Sequence, residues 1–280
     1  MELIVSKTNQ DFLNLAGEYL NHYPERSQLL IVNTIMNKEG LLERKEFRGV
    51  VLEGKQIVCV FLNANPWNLQ LYGETFHPQA VDLIIQKVII DKIDFVGVQG
   101  NKEYTEYFIK KMDELVHLKF KLRIAMDIMR LDQLTPVDLK AKMEVATMDD
   151  IETITSFEMM FMKEALHETV LQSDQYERAR KHIASNRLYK LVVNNEIVSI
   201  VMVSRELQGG RAISLVYTLE DYRNLGYSST LVYQVCEQLL HQEHYDFVTL
   251  FVDKSNPVSN RVYLKVGFYI SEANYDYVIA

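Results

Sequence analysis

Between Ala212 and Leu240 the sequence changes its hydrophobic period, and this narrows the fold more than any other feature. Ala212-Ile213-Ser214-Leu215-Val216-Tyr217-Thr218 predicts a strand. Leu231, Val232, Val235, Cys236, Leu239 and Leu240 recur at helical spacing and predict one apolar helix face. The loop between them delivers the chain to a helix N-terminus near Gly226–Ser229. The first N–H groups of a helix lack intrahelical partners, and the helix dipole favours negative charge there. Gly226 lets the backbone approach a ligand, Ser228 and Ser229 are small hydroxyl donors, and Arg223 adds charge. The loop therefore predicts an anion cradle suited to a pyrophosphate. It has neither the lysine of a P-loop nor the three-glycine spacing of a dinucleotide fingerprint, and a ligand-free strand, turn and capped helix is the plain alternative.

A second segment follows the predicted strand Phe247–Val252. Asn256-Pro257 reads as N-cap and first helical residue, Gly267 as the stop, and Phe268 as the start of another strand. Within this short helix Val258, Val262 and Val266 predict the core face. Tyr263 lies about 100° round from Val262 and is placed to point between strands.

The rest of the chain predicts mixed α/β structure in two halves of similar size. Pro136 and the pattern shift around it set the boundary, giving domains over 1–136 and 142–280. In the first half Phe12–Tyr23, Ala80–Ile89 and Tyr104–Val116 read as helices. Phe47–Leu52, Ile57–Leu62 (continuing into Asn65-Pro66), Phe95–Val98 and Leu122–Ile128 read as strands, and Gly97–Asn101 as a plain strand-to-helix turn. In the second half Ile151–Ala165 and Gln175–Ala184 read as helices, and Leu188–Val193 with Ile197–Ser204 as a hairpin about Asn194-Asn195. The similar order of elements suggests a duplication without residue-level repeats.

Over roughly residues 142–280 the chain resembles the GNAT superfamily of acyl-CoA-dependent N-acetyltransferases. Val216-Tyr217-Thr218 followed by Tyr222-Arg223-Asn224-Leu225-Gly226-Tyr227-Ser228 fits the family's strand and its Arg/Gln-x-x-Gly-x-Gly/Ala loop. Asn256, Tyr263 and Gly267-Phe268 fit its Asn-x6-Tyr-x3-Gly-Phe helix. Ser228 departs from the usual Gly or Ala, and Leu219-Glu220 stands where relatives often carry prolines. The resemblance implies a mixed sheet whose fourth and fifth strands splay apart, with the first half a divergent copy of the same fold. Acetyl-CoA would be the cosubstrate. Its pantetheine arm would pair with the backbone of Val216, Tyr217 and Thr218. Its pyrophosphate would rest on the amides of Asn224, Leu225, Gly226, Tyr227, Ser228 and Ser229 with Arg223, and Asn256 would face the pantetheine. Tyr263 would be the general acid that protonates the leaving thiolate.

The general base stays open among Glu158, Glu164, Glu168, Asp221 and a water chain. The reaction implied is acetylation of a primary amine, on a small molecule or a peptide. The alternative is a non-catalytic protein that keeps CoA as a regulatory or structural ligand. The first half, which has no counterpart of Arg223 and Gly226, would shape the acceptor pocket or mediate homodimerisation.

Charge agrees with an amine acceptor. The formal net charge is −8; residues 1–140 carry 17 basic and 19 acidic side chains and residues 141–280 carry 13 and 19, leaving the second half at −6. That argues against binding a phosphate backbone. Cys59 and Cys236, the only cysteines, sit in apolar runs and read as buried thiols. His167, His241 and His244 lack ligand spacing, so no metal is expected. With no signal peptide indicated and no apolar run near the ~18 residues of a spanning helix, the expected location is the cytoplasm and no membrane partner.

Overall fold

The computed structural model describes residues 1–36, 47–63, 68–165 and 168–280; Asn65, Pro66 and His167 lie outside the described residues. Two units make up the chain, Met1–Ile128 with Ser271–Ala280, and Met129–Ile270. The final ten residues, assigned by the sequence reading to 142–280, fall in the first unit because they pair there with an inner strand. No helix of the described residues is long and apolar enough to cross a membrane.

The first unit runs β1 (Glu2–Val5), α1 (Asn9–Leu20), α2 (Pro24–Met36), β2 (Phe47–Glu53), β3 (Gln56–Asn63), β4 (Leu69–Tyr72), α3 (Pro78–Ile90), β5 (Gly97–Asn101), α4 (Lys102–Val116) and β6 (Phe120–Leu131). The division between units falls inside β6. A reciprocal capping box starts α1, in which Asp11 N donates to Thr8 Oγ1 and Thr8 N to Asp11 Oδ2. The sheet order is β1-β2-β3-β4-β5-β12, where β12 is Tyr269–Ile279. β4 and β5 are parallel and the other neighbours antiparallel. Phe12, Ala16, Leu20 and Leu30 pack on one face; Val81, Ile84, Val88, Phe108 and Met112 pack on the other.

The second unit repeats this order: β7 (Met143–Val145), α5 (Ile151–Ala165), α6 (Gln172–Ala184), β8 (Leu188–Val193), β9 (Glu196–Leu207), β10 (Gly210–Thr218), α7 (Tyr227–Glu237), β11 (Phe247–Asp253) and α8 (Pro257–Val266). Strands lie in the order β11-β10-β9-β8-β7, with only β10 and β11 parallel. Asn194 and Asn195 turn the β8–β9 hairpin at φ 52° and 63°, the left-handed pair that a two-residue turn needs. Ile154 and Phe157 of α5 and Ile183 of α6 cover one face. Leu231, Val232 and Val235 of α7 and Val266 of α8 cover the other.

Two expectations need correction. Gly97–Asn101 is a strand rather than a turn: a Cβ on Gly97 would meet Tyr277 O at 2.1 Å, and one on Gly100 would meet Leu71 O at 1.9 Å. Its glycines serve close backbone approach between strands. Val258 is 45% exposed, because the first turn of α8 stands clear of the core that Val266 enters.

Candidate active site

β10 is where the second unit departs from a regular sheet. It pairs with β11 only through Gly210–Ala212 against Phe247–Thr249. Beyond those pairs β10 continues to Thr218 and β11 to Asp253, so the strands part and leave facing main-chain edges without a ladder. On its other side β10 slips register against β9: Ser214 faces Met202 but Tyr217 faces Ile200, one residue more on β10 than on its neighbour. Leu215 sits in this bulge at φ 52°, a left-handed value unusual for a leucine. An extra residue bends its strand and redirects the amides around it, here those of Leu215 and Val216.

The loop after β10 carries two left-handed residues, Asn224 at φ 63° and Gly226 at φ 90°, immediately before α7. Such alternation turns successive N–H groups inward, and here it adds to the unpaired amides of a helix start. Ser229 Oγ donates to Gly226 O at 2.9 Å, holding the turn, and Ser228 is half-buried beside it. Lys140 approaches from far along the chain; its Cε lies 3.7 Å from where a side chain on Gly226 would begin. Its Nζ is bonded to Asp138, and Thr230 Oγ1 accepts from Lys140 N at 3.2 Å, fixing this segment to α7. No motif spacing links Lys140 to Gly226, so sequence reasoning had no means of finding it.

Arg223 is committed elsewhere. Its Nε donates to Thr218 O at 3.0 Å, and its Nη2 donates to Glu164 Oε2 at 2.7 Å and reaches the Tyr217 hydroxyl at 3.1 Å. Tyr217 donates its own proton to Glu164 Oε1 at 2.6 Å. Burial, then the hydrogen bond to Glu164, pushes the Tyr217 phenol up to about 12. Burial works to raise Glu164, but the bonds from Tyr217 and Arg223 outweigh it and hold the carboxyl below its ordinary value. Among the other acids considered as bases, Glu158 is 1% exposed and held by His182 Nδ1 at 2.8 Å and by Gln175 Nε2. Asp221 and Glu168 are exposed.

α8 supplies the tyrosine. Asn256 caps it, its Oδ1 accepting from Ser259 N at 3.1 Å, with Pro257 as first helical residue. Gly267 ends it at φ 116°, and any Cβ there would meet Gln133 O at 2.7 Å. Tyr263 is 6% exposed, packed edge-on against Phe268 at 5.9 Å, and its hydroxyl makes no hydrogen bond among the described residues. Burial, with the nearby Cys236 thiol, raises its pKa well above that of an ordinary phenol. Val216 and Tyr227 pack against the same apolar cluster as Tyr263. Tyr217 belongs instead to the cluster on the α5 face. The structure thus gathers Val216, Tyr227 and Tyr263 on one face of the second unit, and Tyr217, Arg223 and Glu164 on the other. Leu225 stands out at the loop tip, 53% exposed.

The first unit closes the equivalent place. β4 and β5 pair as Leu69↔Val98, Gln70↔Gln99 and Leu71↔Gly100, almost to their ends. Gly73 N then donates to Asn101 Oδ1 at 3.2 Å, and the Tyr104 hydroxyl lies 2.9 Å from Val58 O and 2.7 Å from Thr75 O.

Residues 151–268 match the model of the acetyltransferase (GNAT) family. Three solved structures are similar over nearly the whole chain. A GCN5-related N-acetyltransferase from Sphaerobacter thermophilus superposes with TM-score 0.64 at 16% identity, covering 99% of this chain and 95% of its own. A GNAT-family acetyltransferase from Colwellia psychrerythraea gives 0.61 at 9%, covering 100% and 99%. A tandem GNAT protein from the clavulanic acid biosynthesis pathway gives 0.56 at 11%, covering 100% and 98%. No curated protein matches the sequence.

Proposed function

We propose, from the match of residues 151–268 to the model of the GNAT acetyltransferase family, that the second unit transfers the acetyl group of acetyl-CoA to a primary amine. The observation that carries the reading is the parting of β10 from β11 beside the bulge at Leu215. A gap between parallel strands, edged by unladdered main chain, suits an extended amide-bearing arm of pantetheine type. The amides of Asn224–Ser229, arranged by two left-handed residues ahead of α7, suit its diphosphate. Lys140, itself paired with Asp138, is the cation that lies beside the Gly226 turn, while Arg223 keeps its charge on Glu164. Asn256 acts in this reading by capping α8 and so fixing Tyr263.

Bound acetyl-CoA supplies an activated acyl group; the protein's part is to place the acceptor, stabilise negative charge and deliver a proton. Main-chain N–H groups freed near Val216 are suited donors where negative charge develops. Tyr263, held neutral by burial and without a hydrogen-bond partner among the described residues, is the proton donor to the departing sulfur. Glu164, ionised and weakly basic, positions Tyr217 and Arg223 rather than taking a proton. An alkylamine of pKa ~10.4 is mostly protonated at neutral pH, so it must lose a proton before it attacks, and in this reading bound water carries that proton to solvent. The chain is proposed to work in the cytoplasm, on a small-molecule or peptide amine.

The test is Tyr263→Phe. Turnover measured by thiol release should fall at least about tenfold while acetyl-CoA affinity by calorimetry stays within about threefold, with one equivalent bound per chain. Unchanged turnover would remove Tyr263 from the chemistry. Uptake of acetyl-CoA by the wild-type chain with no amine acetylated would favour a CoA-binding regulatory or structural role.

A further inference from the structure

The segment between β6 and β7 has neither helix nor strand, yet it is tied along α7 and α8. Thr135 N donates to Val266 O at 2.8 Å. Thr230 Oγ1, in the first turn of α7, accepts from Lys140 N at 3.2 Å and donates to Asp138 O at 3.3 Å. Gln234, one turn further on, clasps the segment with both ends of its amide. Its Nε2 donates to Ala141 O at 2.8 Å, and its Oε1 accepts from Met143 N at 3.1 Å. Thr230 is fully buried, and Leu134, Val137 and Ala141 pack against the apolar core. The segment therefore has one path past the start of α7.

That path lays Lys140 along Gly226. Its Cε and Cγ lie 3.7 and 3.8 Å from where a Cβ on Gly226 would begin, so the aliphatic stem follows the turn. Its Nζ donates to Asp138. This hydrogen bond raises the ammonium above its ordinary value, so the charge is present throughout the neutral range. The pair stands in water, with the Asp138 side chain 76% exposed and that of Lys140 42%. Exposed ion pairs are weak and screened, and an ammonium has three N–H donors to offer a second anion.

A diphosphate on the Asn224–Ser229 amides needs such a cation. Arg223, the loop's own, donates to Glu164 Oε2 at 2.7 Å and to Thr218 O at 3.0 Å, while Glu220 and Asp221 add negative charge to the same loop. A lysine suits phosphate oxygens as a mobile point charge. We propose that Lys140 is a binding residue for the diphosphate of acetyl-CoA, its ammonium exchanging Asp138 for the diphosphate when the cofactor seats on the Gly226 turn. Asp138 then competes with the cofactor for one cation. The inference rests on the acetyltransferase reading and adds to it a residue outside 151–268, the part of the chain that matches the family model.

Calorimetry on the full chain with acetyl-CoA and with acetyl-dephospho-CoA, which keeps the diphosphate and lacks the 3′-phosphate, tests it. Lys140→Met keeps the stem against Gly226 and removes the charge. It should weaken both ligands about tenfold, with an unchanged melting curve. It should also flatten the loss of affinity between about 50 and about 300 mM salt, which a purely structural role of the lysine would leave as it is. Asp138→Asn removes the competitor and should tighten both ligands by about threefold. A change below about threefold in Lys140→Met, or weaker binding in Asp138→Asn, overturns the proposal and leaves the pair a surface contact, with the acetyltransferase reading untouched. A loss seen with acetyl-CoA but not with the dephospho form moves Lys140 to the 3′-phosphate and also overturns it. Should the wild-type chain take up neither ligand, this inference and the reading beneath it both fall.

Discussion

Leu215 and Gly226 hold the geometry of the candidate site through backbone angles rather than side-chain chemistry. A left-handed leucine costs about 1–2 kcal/mol, and it persists because its side chain, 9% exposed, is fixed in the core under α5. Gly226 adopts φ 90° in open surroundings, with nothing nearer than Lys140 Cε at 3.7 Å to a new Cβ. Gly226→Val should therefore fold, with a melting temperature lowered by a few degrees from about 1–2 kcal/mol of backbone strain, and should lose acetyl-CoA binding by calorimetry. Retained affinity would take the loop out of the site. Residue identity alone could not rank the acids: Glu158 and Glu164 occupy the same helix, yet one is sealed against His182 and the other meets Tyr217 and Arg223.

At the scale of elements, α8 is defined by its ends. Asn256→Ala removes the bond to Ser259 N and should cost about 1 kcal/mol, lowering the melting temperature by roughly 2–4 °C, whereas Asn256→Asp should retain the cap. Loss of acetyl-CoA affinity in Asn256→Asp, with the melting temperature kept, would give the amide a direct part in binding. The same local signals made α5, α8 and the β8–β9 hairpin legible, because caps, periodicity and turn residues act within a few positions. α2 and β4 were not legible. α2 buries Glu25, Ser27 and Gln28 in its first two turns, which interrupts the apolar stripe by which a helix is read. β4 spans four residues and buries Gln70 among Leu69, Leu71 and Tyr72. A short strand with a polar residue inside carries too little period to register.

For the whole molecule, many groups are buried in the neutral form. Burial raises the thiols of Cys59 and Cys236 and the phenols of Tyr72, Tyr104 and Tyr263 far above their ordinary values, and moves Tyr19 to about 12. Unfolding returns the thiols to about 9 and the phenols to about 10, so above those values the unfolded chain holds fewer protons and stability falls as pH rises. The two thiols alone should cost about 3 kcal/mol at pH 10 relative to pH 7. Urea midpoints should accordingly be flat through neutrality and drop between pH 8 and pH 10; a midpoint constant to pH 10 would contradict the burial of these groups.

The sequence by itself determined the second unit's strand, loop and helix, the caps of α8 and the Asn-Asn turn, since each rests on contacts a few residues apart. The tertiary structure decided whether two parallel strands separate or close: β10 bulges against β9 and leaves β11, whereas Gly100 lets β5 lie against Leu71. It also carried the last strand to the first unit, brought Lys140 beside Gly226 and turned Arg223 toward Glu164. Those outcomes depend on pairings between segments far apart in the chain, and no local pattern encodes which partner a strand edge or a charged side chain will meet.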